Sequence, residues 1–317
     1  MVDIVKYESN YKSLWDGFVR RSKNGSFLFH RDYMEYHSDQ FLDSSLLFFE
    51  NGNLVSIMPA NVAGDIFYSH SGLTFGGIVS DRKMKIGVML ELFDSLMTYL
   101  SQHRIQTLVY KAVPHIYHVL PAEEDLYALF RYNAKLIKRD VSSAILFDEP
   151  IPFRKGRKWS IKQGKKYGLT IKQTNDFEAF MSIEEAVLTS KYDVKPTHTP
   201  SEIESLAQKF PENIKLFAAY KDEIMLAGVV IYENKTVVHT QYIASSDTGK
   251  KMGATELLLD YLITQYSSGQ KYFDFGISTE KGGAYLNRGL VAYKEGFGAR
   301  AIAYDAYEVG VTISESL

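Results

Sequence analysis

The stretch HTQYIASSDTGKKMGATELLLDYLITQY, from His239 to Tyr266, decides the fold of the second half of this chain. An apolar strand runs through a glycine-bearing loop directly into a long amphipathic helix. The first N–H groups of a helix lack internal partners, and the helix dipole points its positive end outward, so an anion can bind there. Gly249 and Gly253 let the backbone approach a phosphate, and Lys250 and Lys251 add positive charge. This order predicts an anion site at the helix start.

The same features also have a purely structural explanation, because a glycine pair before a helix commonly forms a turn and loop lysines are commonly solvated. The order strand, Gly-Lys-Lys-Met-Gly-Ala, helix nevertheless resembles the pyrophosphate loop of the GNAT superfamily of acyl-CoA-dependent N-acyltransferases. The usual form of that loop is (Q/R)-x-x-G-x-(G/A). Thr248 stands at the usual Gln or Arg position, and Lys251 stands where the middle glycine is commonest.

The sequence after this helix strengthens the resemblance. A short aromatic strand over Tyr272–Phe275 leads through a polar turn to a helix near Leu286–Lys294, and a last strand follows over Ala301–Tyr307. The motifs Y-F-D-F-G-I-S-T-E and Y-K-E-G-F-G resemble the Fem-type, double-GNAT proteins, which include acyltransferase-like members associated with bacterial surface polysaccharide. Four residues are similar to the GNAT pattern N-x-x-A followed by Y-x-x-x-G-F, at a shorter spacing: Asn287, Tyr293, Gly296 and Phe297.

The composition agrees with two domains of ordinary size. The chain has 317 residues, of which 45% are hydrophobic and 14% aromatic, so it can bury substantial cores. A net charge of -2 predicts no overall attraction to nucleic acid or anionic membranes. The absence of cysteine excludes disulfides and thiolate catalysis. No basic start with an apolar run and no membrane-length apolar stretch occurs, so we expect a cytoplasmic protein.

The order of elements repeats along the chain. Both halves show two or more helices, antiparallel strands, and then helix, strand, helix and strand. The paired prolines of Glu149-Pro150-Ile151-Pro152 favour a boundary there, because proline resists both helix and central strand. We therefore predict an α/β fold with mixed sheets, in two tandem GNAT-like domains over residues 1–150 and 151–317.

The two predicted domains differ in their glycines. In the first, the glycines come well before the helix, which makes a poorer diphosphate cradle, so we read it as a degenerate repeat on the acceptor side. His70, Gly76 and Gly77 are its candidate acceptor-site residues, although such glycines also form bulges and tight turns. The resemblance places acetyl-CoA or another acyl-CoA in the second domain, at Tyr242, Ile243, Ala244, Ser245, Gly249, Lys250, Lys251, Met252, Gly253, Ala254 and Asn287.

Acyl transfer to an amine needs a polarised carbonyl, a base for the ammonium proton and a proton for the leaving group. The resemblance implies that main-chain N–H groups around Tyr242 polarise the carbonyl. His239 is a candidate base, because imidazoles titrate near neutral pH, although strand histidines are often core residues. Asp274 is a second candidate, as base or as ligand of the acceptor ammonium, and Glu280 is a third. Both carboxylates could instead cap a helix or pair with neighbouring lysines.

Four further residues complete the predicted site. Tyr293 is the candidate proton donor to the leaving thiolate, with Tyr285 as the alternative. His198 precedes the helix that Thr199-Pro200 should begin, and it is a candidate acceptor-binding residue together with Gln241. No motif for a metal is present, since His115 and His118 form only a weak pair without an HExxH arrangement.

The sequence therefore predicts an acyl-CoA-dependent N-acyltransferase. Resemblance alone suggests an amino sugar nucleotide, or a similar small amine for surface polysaccharide, as the acceptor. One alternative is a Fem-like enzyme that transfers an amino acid from aminoacyl-tRNA to a peptidoglycan precursor. A basic patch is consistent with that alternative, although a solvated helix beside a linker explains it equally: Arg154, Lys155, Arg157, Lys158, Lys162, Lys165 and Lys166. The other alternative is a GNAT-fold binding module without catalysis.

Overall fold

A computed structural model describes residues 2–37, 40–192 and 196–311 of the chain. The strands are β1 (Val2–Lys6), β2 (Leu46–Glu50), β3 (Asn53–Met58), β4 (Asn61–Ala63), β5 (Ile66–Tyr68), β6 (Val79–Ser80), β7 (Thr107–Lys111), β8 (Lys135–Leu146), β9 (Thr170–Thr174), β10 (Ile214–Lys221), β11 (Ile224–Glu233), β12 (Val237–Ser245), β13 (Tyr272–Ile277), β14 (Thr279–Glu280), β15 (Tyr285–Leu286) and β16 (Arg300–Gly310). The helices are α1 (Lys12–Arg21), α2 (Arg31–Met34), α3 (Ile86–Gln102), α4 (Glu124–Arg131), α5 (Lys155–Lys166), α6 (Phe177–Tyr192), α7 (Pro200–Lys209), α8 (Asp247–Met252), α9 (Ala254–Tyr266) and α10 (Arg288–Glu295).

The chain divides into two compact units. The first contains residues 1–140, 280–285 and 303–317, and the second contains residues 141–279 and 286–302. The division falls inside β8, about ten residues before the boundary that the paired prolines indicate, and Pro150 and Pro152 lie in the irregular segment between β8 and α5. The domain ranges 1–150 and 151–317 therefore stay a prediction.

The first unit is built on antiparallel strands covered by α3. Strands β1, β2, β3 and β6 follow one another in that order, and β2 and β3 are joined at Asn51-Gly52, where both residues have positive φ. Asn-Gly with positive φ at both residues is typical of a tight hairpin turn. A second set has the order β4, β5, β7 and β16, with β5 and β7 parallel. Leu92, Phe93 and Leu96 of α3 are fully buried in the core of this unit.

The second unit has a mixed sheet with helices on both faces. Its strand order is β8, β13, β12, β11, β10 and β9, in which β12 and β13 are parallel and α9 connects them. Val229 and Ile231 of β11 belong to the same core as α9. Gly228 directly precedes Val229 and therefore faces the other side of the sheet, where an added Cβ would meet the Phe180 ring of α6 at 2.3 Å. Helices α9 and α6 thus cover opposite faces, which confirms the predicted α/β class.

The start of α7 follows the predicted capping pattern. Thr199 is the N-cap, its Oγ1 accepts from the Glu202 backbone N–H, and the Glu202 side chain accepts from the Thr199 N–H. Pro200 occupies the first helical position, where a missing N–H costs nothing. The capping box fixes the chain direction just after His198.

We expect Thr199→Ala to lower the free energy of unfolding by about 1 kcal/mol, because the first turn of α7 loses its side-chain acceptor. Urea unfolding followed by circular dichroism measures this. Ser205→Ala, at an exposed position inside the same helix, is the matched control and should not destabilise the chain. Equal unfolding midpoints for the parent and Thr199→Ala would contradict the assignment of the cap.

Candidate active site

Strands β12 and β13 separate part-way along their length. Their parallel pairing joins Val237 to Tyr272, Val238 to Phe273 and His239 to Asp274. Strand β12 then continues to Ser245 and β13 to Ile277, and no further pair joins these two described strands. From His239 onward, the edge of β12 that faces β13 therefore carries backbone N–H and C=O groups outside that ladder.

Two irregularities accompany the separation. The register of β11 on β12 shifts so that Val230 opposes Tyr242 while Ile231 opposes Thr240, which leaves Gln241 as a bulge residue. On β13, Gly276 has φ +75°, and the register with β8 shifts between Asp274 and Ile277. Glycine adopts this conformation without strain. Both strands thus change course just beyond the last shared pair.

His239 and Asp274 form that last pair and also bind each other through their side chains. Nδ1 of His239 lies 2.8 Å from Oδ2 of Asp274. Asp274 has no exposed surface, and its other oxygen, Oδ1, accepts from the Ser142 hydroxyl and from the Gly276 N–H. A carboxylate can only accept, so neutral His239 carries its proton on Nδ1 and leaves Nε2 as an acceptor.

This burial changes the interpretation of Asp274. The sequence suggested a carboxylate that contacts the acceptor ammonium or acts as the base. In the structure both oxygens are engaged inside the unit, and the side chain is inaccessible to solvent. Asp274 is therefore placed to orient the His239 ring through their hydrogen bond. The His239 side chain keeps 13% of its surface exposed.

The face on which His239 lies follows from the strand register. Val238 belongs to the core beneath α9, so its neighbour His239 points to the opposite face. His239 opposes Tyr232 and Tyr242 opposes Val230, and these two β11 residues alternate with the α9-facing Val229 and Ile231. His239 and Tyr242 therefore share the face that α6 covers.

His198 lies on this same face, as the prediction of an acceptor-side position requires. Its Nδ1 is 2.5 Å from the Tyr242 hydroxyl, and its side chain is buried. Burial raises the pKa of Tyr242, and the charge of Glu184 on α6 acts in the same direction. Gln241 is the bulge residue beside them. His239, Gln241 and Tyr242 are thus close together on β12, and His198 contacts Tyr242 from the segment before α7.

The predicted phosphate loop has a different form. Residues Asp247–Met252 are a short helix, α8, whose N-cap Ser246 accepts from the Gly249 N–H. Gly249 is buried, and an added Cβ would lie 2.4 Å from the Leu226 carbonyl oxygen. Gly253 has φ +75°, and an added Cβ would lie 2.3 Å from the Ser160 carbonyl oxygen. Packing inside the unit thus accounts for both glycines.

Helix α5 covers the start of α9. Gly164 of α5 lies against Gly253 and Leu257, and Ala254 is fully buried. Arg157 of α5 binds Glu256 in the first turn of α9 at 2.9 Å and stacks at 3.9 Å over the Tyr293 ring of α10. Helix α5 therefore packs against the start of α9 and reaches α10. The assignment of a diphosphate to the predicted loop stays a prediction.

Tyr293 lies beneath this guanidinium. Burial raises its pKa, and its hydroxyl is buried without a hydrogen-bond partner among the described residues. The raised pKa favours the protonated form of Tyr293, which is the form that donates a proton.

Three further candidates lie in the same part of the sequence. Tyr285 is 51% exposed, and Asn287 caps α10 by accepting from the Leu290 N–H. Glu280 is an exposed residue of β14.

The candidates of the first unit have internal packing roles. An added Cβ on Gly76 would lie 1.9 Å from the Ser69 carbonyl oxygen, and one on Gly77, where φ is +75°, would lie 2.7 Å from the Tyr110 ring. His70 is buried with φ +61° and packs on Phe41. Their proposed role in acceptor binding stays a prediction.

Comparison with known proteins assigns the second unit to a family. Residues 153–295 match the family described as an acetyltransferase (GNAT) domain. This part of the chain belongs to the GNAT superfamily. No curated protein sequence matches the chain.

Within the described residues, no helix is long and apolar enough to cross a membrane, and no group of His, Cys, Asp or Glu side chains could hold a metal ion.

Solved structures extend the likeness to the whole chain. FemX is 13% identical with a TM-score of 0.68 over 96% of both chains. L-PGS from Bacillus licheniformis is 11% identical with a TM-score of 0.63, over 98% of this chain and 94% of that chain. A tandem GNAT protein from the clavulanic acid biosynthesis pathway is 11% identical with a TM-score of 0.52, over 99% and 100%. The chain thus has the Fem-like, double-GNAT fold.

Two residues that support the His239–Asp274 pair were not predicted from the sequence. Lys294 of α10 is buried and donates to the Gly276 and Ile277 carbonyls at 2.8 Å each. Burial lowers its pKa to about 8, and the Asp274 charge acts in the opposite direction. Ser142, on β8, donates to Asp274. A lysine in an otherwise apolar helix turn could have indicated a buried role for Lys294. Nothing in the sequence near Ser142 distinguishes that serine.

We expect Asp274→Asn to reverse the tautomer of neutral His239. Ser142 and Gly276 both donate to Oδ1, so the amide oxygen takes that place and the amide NH₂ faces Nδ1 of His239. The ring then carries its proton on Nε2. Nitrogen-15 spectra of histidine-labelled protein distinguish the two tautomers, and His239→Gln assigns the signal. The same tautomer in the parent and in Asp274→Asn would contradict this hydrogen-bond arrangement.

Proposed function

We propose that this chain is an N-acyltransferase in which His239 removes the proton from the acceptor amine. The observation that carries the proposal is the His239–Asp274 hydrogen bond at the point where β12 and β13 separate. A histidine whose second nitrogen is fixed by a buried carboxylate is a common arrangement for a general base. The GNAT family of the second unit supports acyl transfer as the reaction class.

The proposed steps use groups of this chain. Asp274 holds the Nδ1–H of His239, so the lone pair of Nε2 takes a proton from the acceptor amine. The amine nitrogen attacks the acyl carbonyl carbon, and the carbonyl oxygen becomes negative. Backbone N–H groups of β12 beyond His239, on the edge freed by the strand separation, stabilise that oxygen. The carbonyl then re-forms as the bond to the leaving sulfur or oxygen breaks, and the leaving group takes up the proton that the attacking nitrogen still carries.

The second part of the proposal concerns the identity of the acyl donor. GNAT domains generally use acyl-CoA, and acetyl-CoA is the donor that the sequence suggests. Helix α5 packs against the start of α9, so we assign no step to a diphosphate bound there. A charge introduced at Gly253 does not test this loop cleanly, because any side chain at that position collides with the Ser160 carbonyl.

The Fem-like alternative, with aminoacyl-tRNA as donor, has a specific observation in its favour. Four lysines of α5 recur every three or four residues and are exposed, with Trp159 beside them at 63% exposure. Lysines spaced in this way lie on one face of a helix. Such a face can neutralise phosphates, and an exposed aromatic ring can stack on a base. The four lysines are Lys155, Lys158, Lys162 and Lys166.

The acceptor is a primary amine under either donor. An amino sugar nucleotide or a similar small amine for surface polysaccharide suits an acyl-CoA enzyme, whereas a peptidoglycan-precursor amine suits the Fem-like enzyme. Both assignments rest on the resemblance. We also propose that the protein works in the cytoplasm, where both donors are made. A binding module without catalysis would leave the His239–Asp274 pair without a use.

We expect His239→Gln to lower kcat by roughly 100-fold or more, since a general base contributes about that factor. Asp274→Asn should lower kcat comparably, because the wrong tautomer removes the proton acceptor from Nε2. Steady-state kinetics with saturating donor and amine measure both effects. The exposed His115→Gln is the control and should keep the parent rate. Near-parent kcat in His239→Gln would refute the proposed base.

If aminoacyl-tRNA is the donor, we expect charged tRNA to bind with a steep salt dependence, and acetyl-CoA to leave the melting temperature unchanged. Lys158→Glu combined with Lys162→Glu should weaken tRNA binding at least 10-fold, because two phosphate contacts are lost. Filter binding at several salt concentrations and thermal shift measure the two ligands. Lys83→Glu with Lys135→Glu, an equal charge change on the other unit, is the control. A rise in melting temperature with acetyl-CoA, and no specific effect of the α5 variants, would support acyl-CoA instead.

A further inference from the structure

A buried carboxylate lies on the same face of the sheet as His239. Glu184 is on α6, one helical turn after Phe180, and only 7% of its surface is exposed. Phe180 contacts Gly228, which pairs with Ala244 of β12. The charge of Glu184 reaches Tyr242, two residues earlier on β12. Glu184 therefore lies over the β12 segment that begins at His239.

No positive charge in the described part of the chain compensates Glu184. Burial alone raises its pKa to about 7, with no contribution from a lysine, arginine or histidine. The other titratable groups on this face are already engaged, since His198 contacts Tyr242 and His239 contacts Asp274. A buried carboxylate without a counter-charge is unfavourable and is rarely retained without a partner.

A cationic ligand would remove this imbalance. The acceptor amine of an acyl transfer arrives at neutral pH mostly as an ammonium ion, since alkyl amines titrate near pH 10. An ammonium offers a positive charge and hydrogen-bond donors, which are what a buried carboxylate lacks. Binding the ammonium at Glu184 would place it on the same face of the sheet as His239.

We infer that Glu184 binds the ammonium group of the acceptor before His239 removes its proton. This inference rests on the proposed function and adds the residue that binds the acceptor in its protonated form. Glu184 then acts as a binding residue, while His239 remains the group that transfers the proton. The adjacent Glu185 is exposed on α6 and provides a matched comparison for the same residue type.

The inference is tested by the titration of Glu184 in the intact chain. Carboxyl carbon-13 spectra of glutamate-labelled protein give its midpoint, and Glu184→Gln or Glu184→Asp assigns the signal. Methylammonium chloride is the probe, with sodium chloride at the same concentration as control. We expect methylammonium to lower the midpoint of Glu184 by at least about one pH unit, because the cation stabilises the ionised form. The midpoint of Glu185 should not change.

Equal midpoints for Glu184 in the two salts would overturn the inference, whether or not the variants fold, since the parent protein carries the measurement. The proposed function is judged separately by the turnover of His239→Gln. A methylammonium shift without acyl transfer would leave an ammonium site in a protein that is not a transferase. Acyl transfer that depends on His239, without the shift, would leave the enzyme and remove Glu184 from acceptor binding.

Discussion

The hydrogen bond between His239 and Asp274 is the constraint on which the rest of the site depends. It lies at the last pair of the parallel strands β12 and β13, so it marks the place where the sheet opens. Ser142 on β8 and Lys294 on α10 support this corner from two other elements, and Gly276 of β13 itself donates to Asp274. Because Asp274 is fully buried, the imidazole is the part of the pair that solvent reaches. In the proposed mechanism this arrangement fixes the base at the opening of the sheet.

The second constraint is the position of α5. By packing on α9 and α10, it gives Gly253 and Gly164 a structural reason to be glycine, and it places Arg157 between Glu256 and Tyr293. In the proposed mechanism the separating strand pair carries the base, while α5 packs against the predicted acyl-CoA loop. The exposed side of the same helix carries the four lysines that the Fem-like alternative would use for tRNA.

Much of the fold could be predicted from local patterns. The Asn51-Gly52 hairpin, the Thr199 cap and the order of β12, α9 and β13 depend on short-range geometry that residue types encode. His239 and Asp274 could each be proposed from their chemistry, but their contact depends on the register of two strands 35 residues apart. The packing of α5, and the burial of Glu184 within an ordinary amphipathic helix, depend on contacts between residues that are far apart in the sequence. No local pattern distinguishes a glycine that admits phosphate from one that admits a neighbouring helix.

The central claim is that His239 takes the proton from the acceptor. An acceptor amine must itself be deprotonated, so its own titration obscures that of the base when the amine is strongly basic. The most direct measurement is therefore the pH dependence of kcat/KM with a weakly basic amine, whose pKa of about 5 leaves it neutral throughout the range studied. The account predicts that the rate of the parent falls toward acid and that this limb is absent in His239→Gln. A parent profile without the limb, or the same limb in both proteins, would contradict it.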